Sequence, residues 1–288
     1  MAKQQRVLVT GATGNVGPHA VAQLLDAGVE TRALVLENDP NSDRIPPGAE
    51  VFHGSLADPD SLDACLEGVD AVFLMWPFFT LDVDTVPAVL EKLEKHTRRV
   101  VFISSIGVHI GLEPVGNRCH AYLEQQIEKT SLEWTFLQTT GFACNTRIGW
   151  AAQLKESGVM RSPYGEAARS PIHEADVAAV AVRALTRDGH AGRRYVVTGP
   201  EALPQIDQLA VIAEVTGRDL RWEDVPADAA KAAMVEVGWP ESYAAGALDY
   251  FAMLVKEPET VTDHVAQVLG RAPRTFREWV TEHADDFR

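Results

Sequence analysis

The stretch Val7-Leu8-Val9-Thr10-Gly11-Ala12-Thr13-Gly14-Asn15-Val16-Gly17 narrows the folds open to this chain more than any other. An apolar run ends in three glycines spaced three apart, and the turn they make opens a helix predicted over residues 15–27. Val21, Leu24 and Leu25 share one face of that helix, Pro18 suits its first turn, and Gly28 stands where a C-cap is expected. Strand, glycine turn and helix in that order are the components of a dinucleotide site. Gly11 permits the turn, Gly14 leaves backbone open to a pyrophosphate, and Gly17 lets the helix lie close to the strand. The anion then meets exposed N–H groups and the positive end of the helix dipole. An ordinary strand–helix turn can also carry three glycines, and the spacing is Gly-x-x-Gly-x-x-Gly rather than Gly-x-Gly-x-x-Gly. The flanking elements, with a second strand near residues 30–36, therefore carry the assignment.

Beyond the loop the chain alternates. Apolar runs at 49–53, 70–75, 99–103 and 133–138 read as strands, with helices between them near 59–67, 84–95 and 118–131. This alternation implies an α/β fold: a Rossmann-type, doubly wound parallel sheet with right-handed crossovers. A helix near 145–156, a strand end and helix over 172–185 and a strand at 194–198 follow. After Gly199-Pro200 the pattern is mostly helical, with helices at 205–216, 226–237, 241–255, 259–269 and 274–284. The expected organisation is a dinucleotide-binding core over 1–155, to which 171–200 returns. A small, mainly helical C-terminal substrate lobe is then built from 156–170 and 201–288. A chain of 288 residues is long enough for both.

The charge balance excludes some partners. With 41 acidic and 26 basic residues the net charge is −15, a surface that repels nucleic acid and anionic membranes, so neither is an expected partner. Cys65, Cys119 and Cys144 are far apart and no Cys-x-x-Cys occurs, so a disulfide framework and a zinc site are not expected and a reducing cytoplasm fits. The histidines form no His-Glu-x-x-His grouping, and no metal is expected. No signal peptide and no bilayer-length apolar run are evident, which again points to the cytoplasm. Assembly into a homo-oligomer is left open.

In doubly wound sheets ligands bind beyond the carboxyl ends of the strands. The segments to read there are 11–17, 36–39, 54–56, 75–79, 104–109 and 138–145, which puts Leu36, Glu37, Ser55, Leu56, Met75, Trp76, Pro77, Ser104 and Thr139 beside the cofactor. The second strand ends in Leu36-Glu37-Asn38-Asp39, where an adenosine ribose is expected. A carboxylate about 4 Å from a 2′-phosphate charge costs on the order of 4 kcal/mol at an effective dielectric near 20, less where water screens it. NAD(H) is thus favoured over NADP(H). Arg32 points the other way but stands mid-strand, too early to reach the ribose.

Strand four runs into Met75-Trp76-Pro77-Phe78-Phe79, an aromatic cluster where a polar loop would be ordinary. Phe142 and Trp150 follow strand six. Trp76, Phe79, Phe142 and Trp150 are expected to wall a flat apolar substrate, the alternative being that these rings pack beneath the C-terminal helices. On the helix after strand five, Tyr122 is followed four residues later by Gln126, so the Tyr-x-x-x-Lys pair of ordinary ketone reduction is absent. His120 and Glu124 share a face of that helix. His120 is a candidate proton donor and substrate contact with Glu124 orienting it, although a purely structural bond explains the spacing equally well. Tyr122 is the competing donor, and Ser104 and Ser105 can bond a ribose or a substrate oxygen.

These residues together resemble the NmrA-like branch of the atypical short-chain dehydrogenase/reductases, over nearly the whole chain. The motifs are Gly11-Ala12-Thr13-Gly14-Asn15-Val16-Gly17, Arg32-Ala33-Leu34-Val35, Gly54-Ser55-Leu56, His120 with Glu124, and Glu133-Trp134-Thr135-Phe136-Leu137-Gln138 with Phe142 and Asn145. Ile172-His173-Glu174-Ala175-Asp176-Val177-Ala178 and Tyr195-Val196-Val197-Thr198-Gly199-Pro200-Glu201-Ala202-Leu203 complete the set. The resemblance implies a Rossmann core, a small substrate lobe and NAD(P) binding, with Gly11, Thr13, Gly14, Asn15, Val16 and Gly17 on the pyrophosphate. Leu36 replaces the family's frequent arginine, and Gln138-Thr139-Thr140 departs from its usual Leu-Arg-Pro. Members include NAD(P)H-dependent quinone reductases and cofactor-binding redox sensors. The expected function is hydride transfer to a flat aromatic, quinone-like or carbonyl compound. A sensor without turnover is the alternative, and a reductase of aromatic polyketide assembly is a special case of the first. A quinone is preferred because its reduction gives an anion spread over a ring, which needs little help from an acid.

Overall fold

Strand β1 (Arg6–Val9) takes an interior place in a seven-stranded sheet, its apolar run paired on both sides, with β2 and with β4. The computed structural model describes residues 4–77, 82–112 and 115–288, with side chains for all of these but 115–118. The strands β2 (Glu30–Val35), β3 (Glu50–His53), β4 (Ala71–Leu74), β5 (Arg99–Ser105) and β6 (Glu133–Thr139) pair in parallel with one another and with β1. Two short strands, β7 (Val159–Arg161) and β8 (Ala168–Arg169), precede β9 (Arg193–Val197), which closes the order β3-β2-β1-β4-β5-β6-β9. The order reverses at β1 and β4, and that switch point is where a doubly wound sheet opens a crevice. The expected fold class is the one observed.

Side-chain alternation decides which helix covers which face. Leu8, Val72, Leu74, Val100, Phe102 and Phe136 point to one side and form a core with residues of α2 (Asp63–Leu66), α3 (Val86–His96) and α5 (Val115–Ile127). On the other side α1 (Gly17–Asp26) packs along α7 (Glu174–Thr186), with Gln23 Nε2 donating to Ala175 O at 3.0 Å. Buried Arg32 donates to Glu50 and to the carbonyls of Cys65 at 2.9 Å and Glu67 at 2.8 Å, so it closes the C-terminal end of α2. Arg99 does the same for α7 through the carbonyls of Leu185 and Arg187.

Several boundaries differ from the sequence pattern. The helix expected at 59–67 is a 3-10 turn, Pro59–Leu62, followed by the single turn α2. Strand β5 runs on to Ser105 because Ser104 and Ser105 pair with Gln138 and Thr139. A short helix α4 (Ile106–His109), unforeseen, starts where Ser105 Oγ accepts from Gly107 N.

Two compact units divide the chain: Met1–Leu112, Gly116–Thr139 and Glu174–Val196 form one, and Glu113–Val115, Thr140–His173 and Val197–Arg288 the other. The expected boundary near 155 therefore moves back to 139. The reason is α6 (Cys144–Ser157), whose Cys144, Trp150 and Leu154 are buried with Leu209, Ile212, Phe276 and Trp279 of the second unit. That unit also holds β10 (Leu203–Pro204) paired with β8, β11 (Arg221–Glu223) paired with β7, and five helices: α8 (Gln205–Thr216), α9 (Ala227–Glu236), α10 (Glu241–Leu254), α11 (His264–Leu269) and α12 (Phe276–Glu282). The helix expected from 259 starts only at His264, because Glu259 N is bonded to Ala168 O. Thr275 and Glu278 form a capping box that sets the start of α12. No described helix is long and apolar enough to cross a membrane.

Candidate active site

The site is built outward from Thr10. Its hydroxyl donates to Phe73 O at 3.2 Å and accepts from Met75 N at 2.9 Å, tying together the ends of β1 and β4 at the switch point. The chain then turns through Gly11 at φ +58°, where a Cβ would stand 2.9 Å from Met75 Cγ. At Gly17 a Cβ would meet Gly11 O at 2.2 Å and Ala12 Cα at 2.6 Å, so only hydrogen fits between loop and helix. Gly11 and Gly14 are exposed, while Val16 and Gly17 are buried beneath them. The N-cap of α1, Val16, offers no side-chain acceptor and the first turn carries no acid. The leading N–H groups of α1 are thus left for an anion, which is what a dinucleotide pyrophosphate requires.

The end of β2 holds Leu36 and Glu37, both exposed. Asp39 instead turns back on the loop, accepting from Thr13 Oγ1 at 2.7 Å and from Asn41 N at 2.9 Å. The Thr13 hydrogen bond, then that of Asn41, holds its carboxyl below the usual range. Arg44 Nη1 donates to Thr13 O at 2.9 Å. The turn of residues 42–44 thereby brings a cation to the loop that no sequence motif announced. Ser55 partly caps its own turn, donated to by Ala57 N, and Leu56 is buried in the core.

At the ends of β5 and β6 a buried carboxylate organises the side facing α5. Glu124 accepts from Ser104 Oγ at 2.5 Å, from Gln138 Nε2 at 3.0 Å and from Arg194 Nε at 3.3 Å. Arg194 also pairs with Glu128 and lies over the rings of Trp134 at 4.9 Å and Phe136 at 5.2 Å. The expectation that Glu124 orients His120 is corrected: the bonds described for this carboxylate run to Ser104, Gln138 and Arg194. The hydroxyl of Ser104 is accordingly directed at Glu124 rather than at a ribose. His120 is itself buried, its ring centroid 6.2 Å from that of Phe102. Tyr122 is half-buried and packs against the same core. Thr139 Oγ1 donates to Ser104 O at 3.2 Å, a bond between strands. Sequence reading missed Gln138 and Arg194 as partners of Glu124, since they lie 14 and 70 residues away from it.

The rings expected to wall a substrate are corrected to core packing wherever the structure describes them. Trp76 is 1% exposed and its ring belongs to the core of the first unit, although its Nε1–H has no acceptor among the described residues. Pro77 is exposed. Phe79 lies outside the described residues. Trp150 is corrected from substrate wall to core: it is buried in the second unit, edge-on to Trp222 at 5.6 Å. Phe142 is half-buried against that same core, its segment held to Ile172 by the bond from Ala143 N. Among the described residues no three His, Cys, Asp or Glu side chains group as metal ligands.

Sheet order, switch point and glycine loop together define a Rossmann-type dinucleotide-binding protein. Residues 11–188 match the family model described as NAD(P)H-binding. The chain is 36% identical over 287 residues to (4-alkanoyl-5-oxo-2,5-dihydrofuran-3-yl)methyl phosphate reductase of Streptomyces griseus, covering 98% of this chain and 99% of that protein. It is 33% identical over 288 residues to the NAD(P)H azoreductase of Xenophilus azovorans, with the same coverage. The NADPH complex of the Escherichia coli quinone oxidoreductase superposes with a TM-score of 0.82 at 20% identity, over 96% of this chain and 99% of that one. The chain belongs to this NAD(P)H-binding family, among the NmrA-like atypical short-chain dehydrogenase/reductases, and is an NAD(P)H-dependent reductase.

Proposed function

We propose that this reductase transfers hydride to a flat conjugated acceptor, quinone-like or azo in preference to an aromatic carbonyl, with NAD(H) as the preferred cofactor. Bound nicotinamide supplies the hydride, and the protein supplies orientation and electrostatics. The observation that carries the reading is on α5. Gln126 stands where a lysine would sharpen the acidity of Tyr122, and the Tyr122 ring packs against the core. A localised alkoxide would go poorly served there, whereas the anion of a reduced quinone or azo group is already delocalised. The azoreductase relative supports the same class of acceptor. The test compares NADH oxidation with a quinone, an azo dye and a simple aromatic ketone. The first two are expected to turn over at least about 10²-fold faster than the ketone, the lower range of general-acid assistance. Equal rates would refute the reading, and NADH binding with no oxidation by any acceptor would make the chain a sensor.

His120 is the proposed proton donor where one is needed. His120→Gln is expected to lower ketone turnover at least about 10²-fold and quinone turnover less, with Tyr122→Phe costing only a few-fold. A larger loss in Tyr122→Phe than in His120→Gln exchanges the two roles.

The NAD(H) preference rests on Leu36 and Glu37 at the end of β2, with Arg44, bonded to the loop carbonyl of Thr13, as the opposing charge. Leu36→Arg is expected to shift the preference toward NADPH at least tenfold, about 1.4 kcal/mol. Titration of both cofactors into parent and variant checks this, and a parent that already prefers NADPH tenfold would overturn it.

A further inference from the structure

We propose that Arg169 binds an oxyanion carried by the acceptor, a phosphate, sulfonate or carboxylate, so that the enzyme selects charged over neutral flat compounds. The proposal rests on the reductase reading above and names its substrate class. The buried guanidiniums Arg32 and Arg99 are each engaged by carboxylates and carbonyls. Arg169 differs. Its Nε is buried without an acceptor, and its guanidinium has no carboxylate at ion-pair distance among the described residues. The adjoining carboxylate is already taken: Glu259 Oε2 accepts from Ser170 N and Ser170 Oγ, both at 2.7 Å, and Oε1 accepts from Tyr250 OH. Burial and the Glu259 charge push the Tyr250 phenol far up, so it stays a donor to Glu259.

What remains around Arg169 positions it without satisfying it. The guanidinium lies over the Phe251 ring at 5.1 Å. Its other edge lies on Gly141, where a Cβ would fall 1.7 Å from Nη2. A half-buried, planar and unpaired fork next to an aromatic face suits a flat ligand bearing an oxyanion, since two parallel N–H bonds can reach two oxygens. Gly141 comes two residues after β6 ends and one before Phe142, the stretch of chain that the sheet's topology marks for ligand contact.

The test is equilibrium dialysis of the full chain with aminoazobenzene and with its sulfonate, which differ in one anionic group. The parent is expected to bind the sulfonate more tightly. In Arg169→Met the ratio of the two affinities is expected to fall at least tenfold, and in Arg169→Lys, which keeps charge but not the fork, by less. Gly141→Ala leaves the arginine in the chain but puts a methyl where Nη2 rests. Its backbone tolerates alanine, and the same loss of preference is expected. A parent without preference, or an Arg169→Met that keeps it, overturns the proposal. Should Arg169→Met fail to fold, an unchanged preference in Gly141→Ala does so. Dialysis needs no hydride, so a sulfonate preference combined with no reduction of either dye by NADH removes the reductase reading and leaves the anion site standing.

Discussion

Gly14→Val is expected to abolish dinucleotide binding while the fold stands. Gly14 is exposed on the loop, its N–H already bonded to Gly11 O at 3.0 Å, and an added Cβ would stand 3.2 Å from that oxygen. Admitting it requires Gly11 O, on the exposed loop, to shift by a few tenths of an ångström. The two valine methyls, however, occupy the surface that a pyrophosphate must approach to reach the first N–H groups of α1. A loss of at least about 10²-fold in NADH affinity, about 2.7 kcal/mol, is expected from fluorescence titration, with thermal unfolding little changed. Gly17→Ala should behave in the opposite way. Its methyl would meet backbone atoms of Gly11 and Ala12, which cannot swing aside, so stability falls first. If Gly14→Val binds NADH as tightly as the parent, the cofactor lies elsewhere.

Removing the carboxylate of Glu124 should cost the most stability of any single change around the site. Glu124→Leu leaves the Ser104 hydroxyl, the Gln138 amide and the Arg194 guanidinium without their shared acceptor, in a place where Ser104 and Gln138 are each 2% exposed. Breaking a buried charge pair costs about 3–5 kcal/mol. Arg194 is partly open to water, which can replace one of those bonds, so the lower end of that range is expected. Denaturant unfolding measures it. Glu124→Gln, which keeps an acceptor for Ser104, should lose less. A Glu124→Leu variant as stable as the parent would show that the cluster contributes nothing to the fold.

The cofactor loop and the doubly wound, parallel character of the sheet were legible because both rest on local rules. Three glycines between an apolar run and an amphipathic helix dictate a turn through sterics alone, and alternation of two periodicities dictates crossovers. The expected roles of single side chains fared less well. His120 and Glu124 stand four apart, and helical geometry puts them on one face, but it says nothing of what the sheet presents to that face. Trp150 reads from the sequence as an aromatic near a strand end. Only the packing of α6 with Phe276 and Trp279 makes it core.

By itself, then, the sequence determined the Rossmann-type sheet, the anion-receiving loop and the missing Tyr-Lys pair: the loop and the pair depend on residues close in the chain, and the sheet class on the regular alternation of strand and helix patterns. The tertiary structure alone decided the rest. It joined Glu124 to Ser104, Gln138 and Arg194, moved residues 140–155 into the second unit and set Arg169 between Phe251 and Gly141. Those partners are brought together by which faces bury against which, and a charge or a ring chooses among the neighbours that burial supplies, at any separation along the chain.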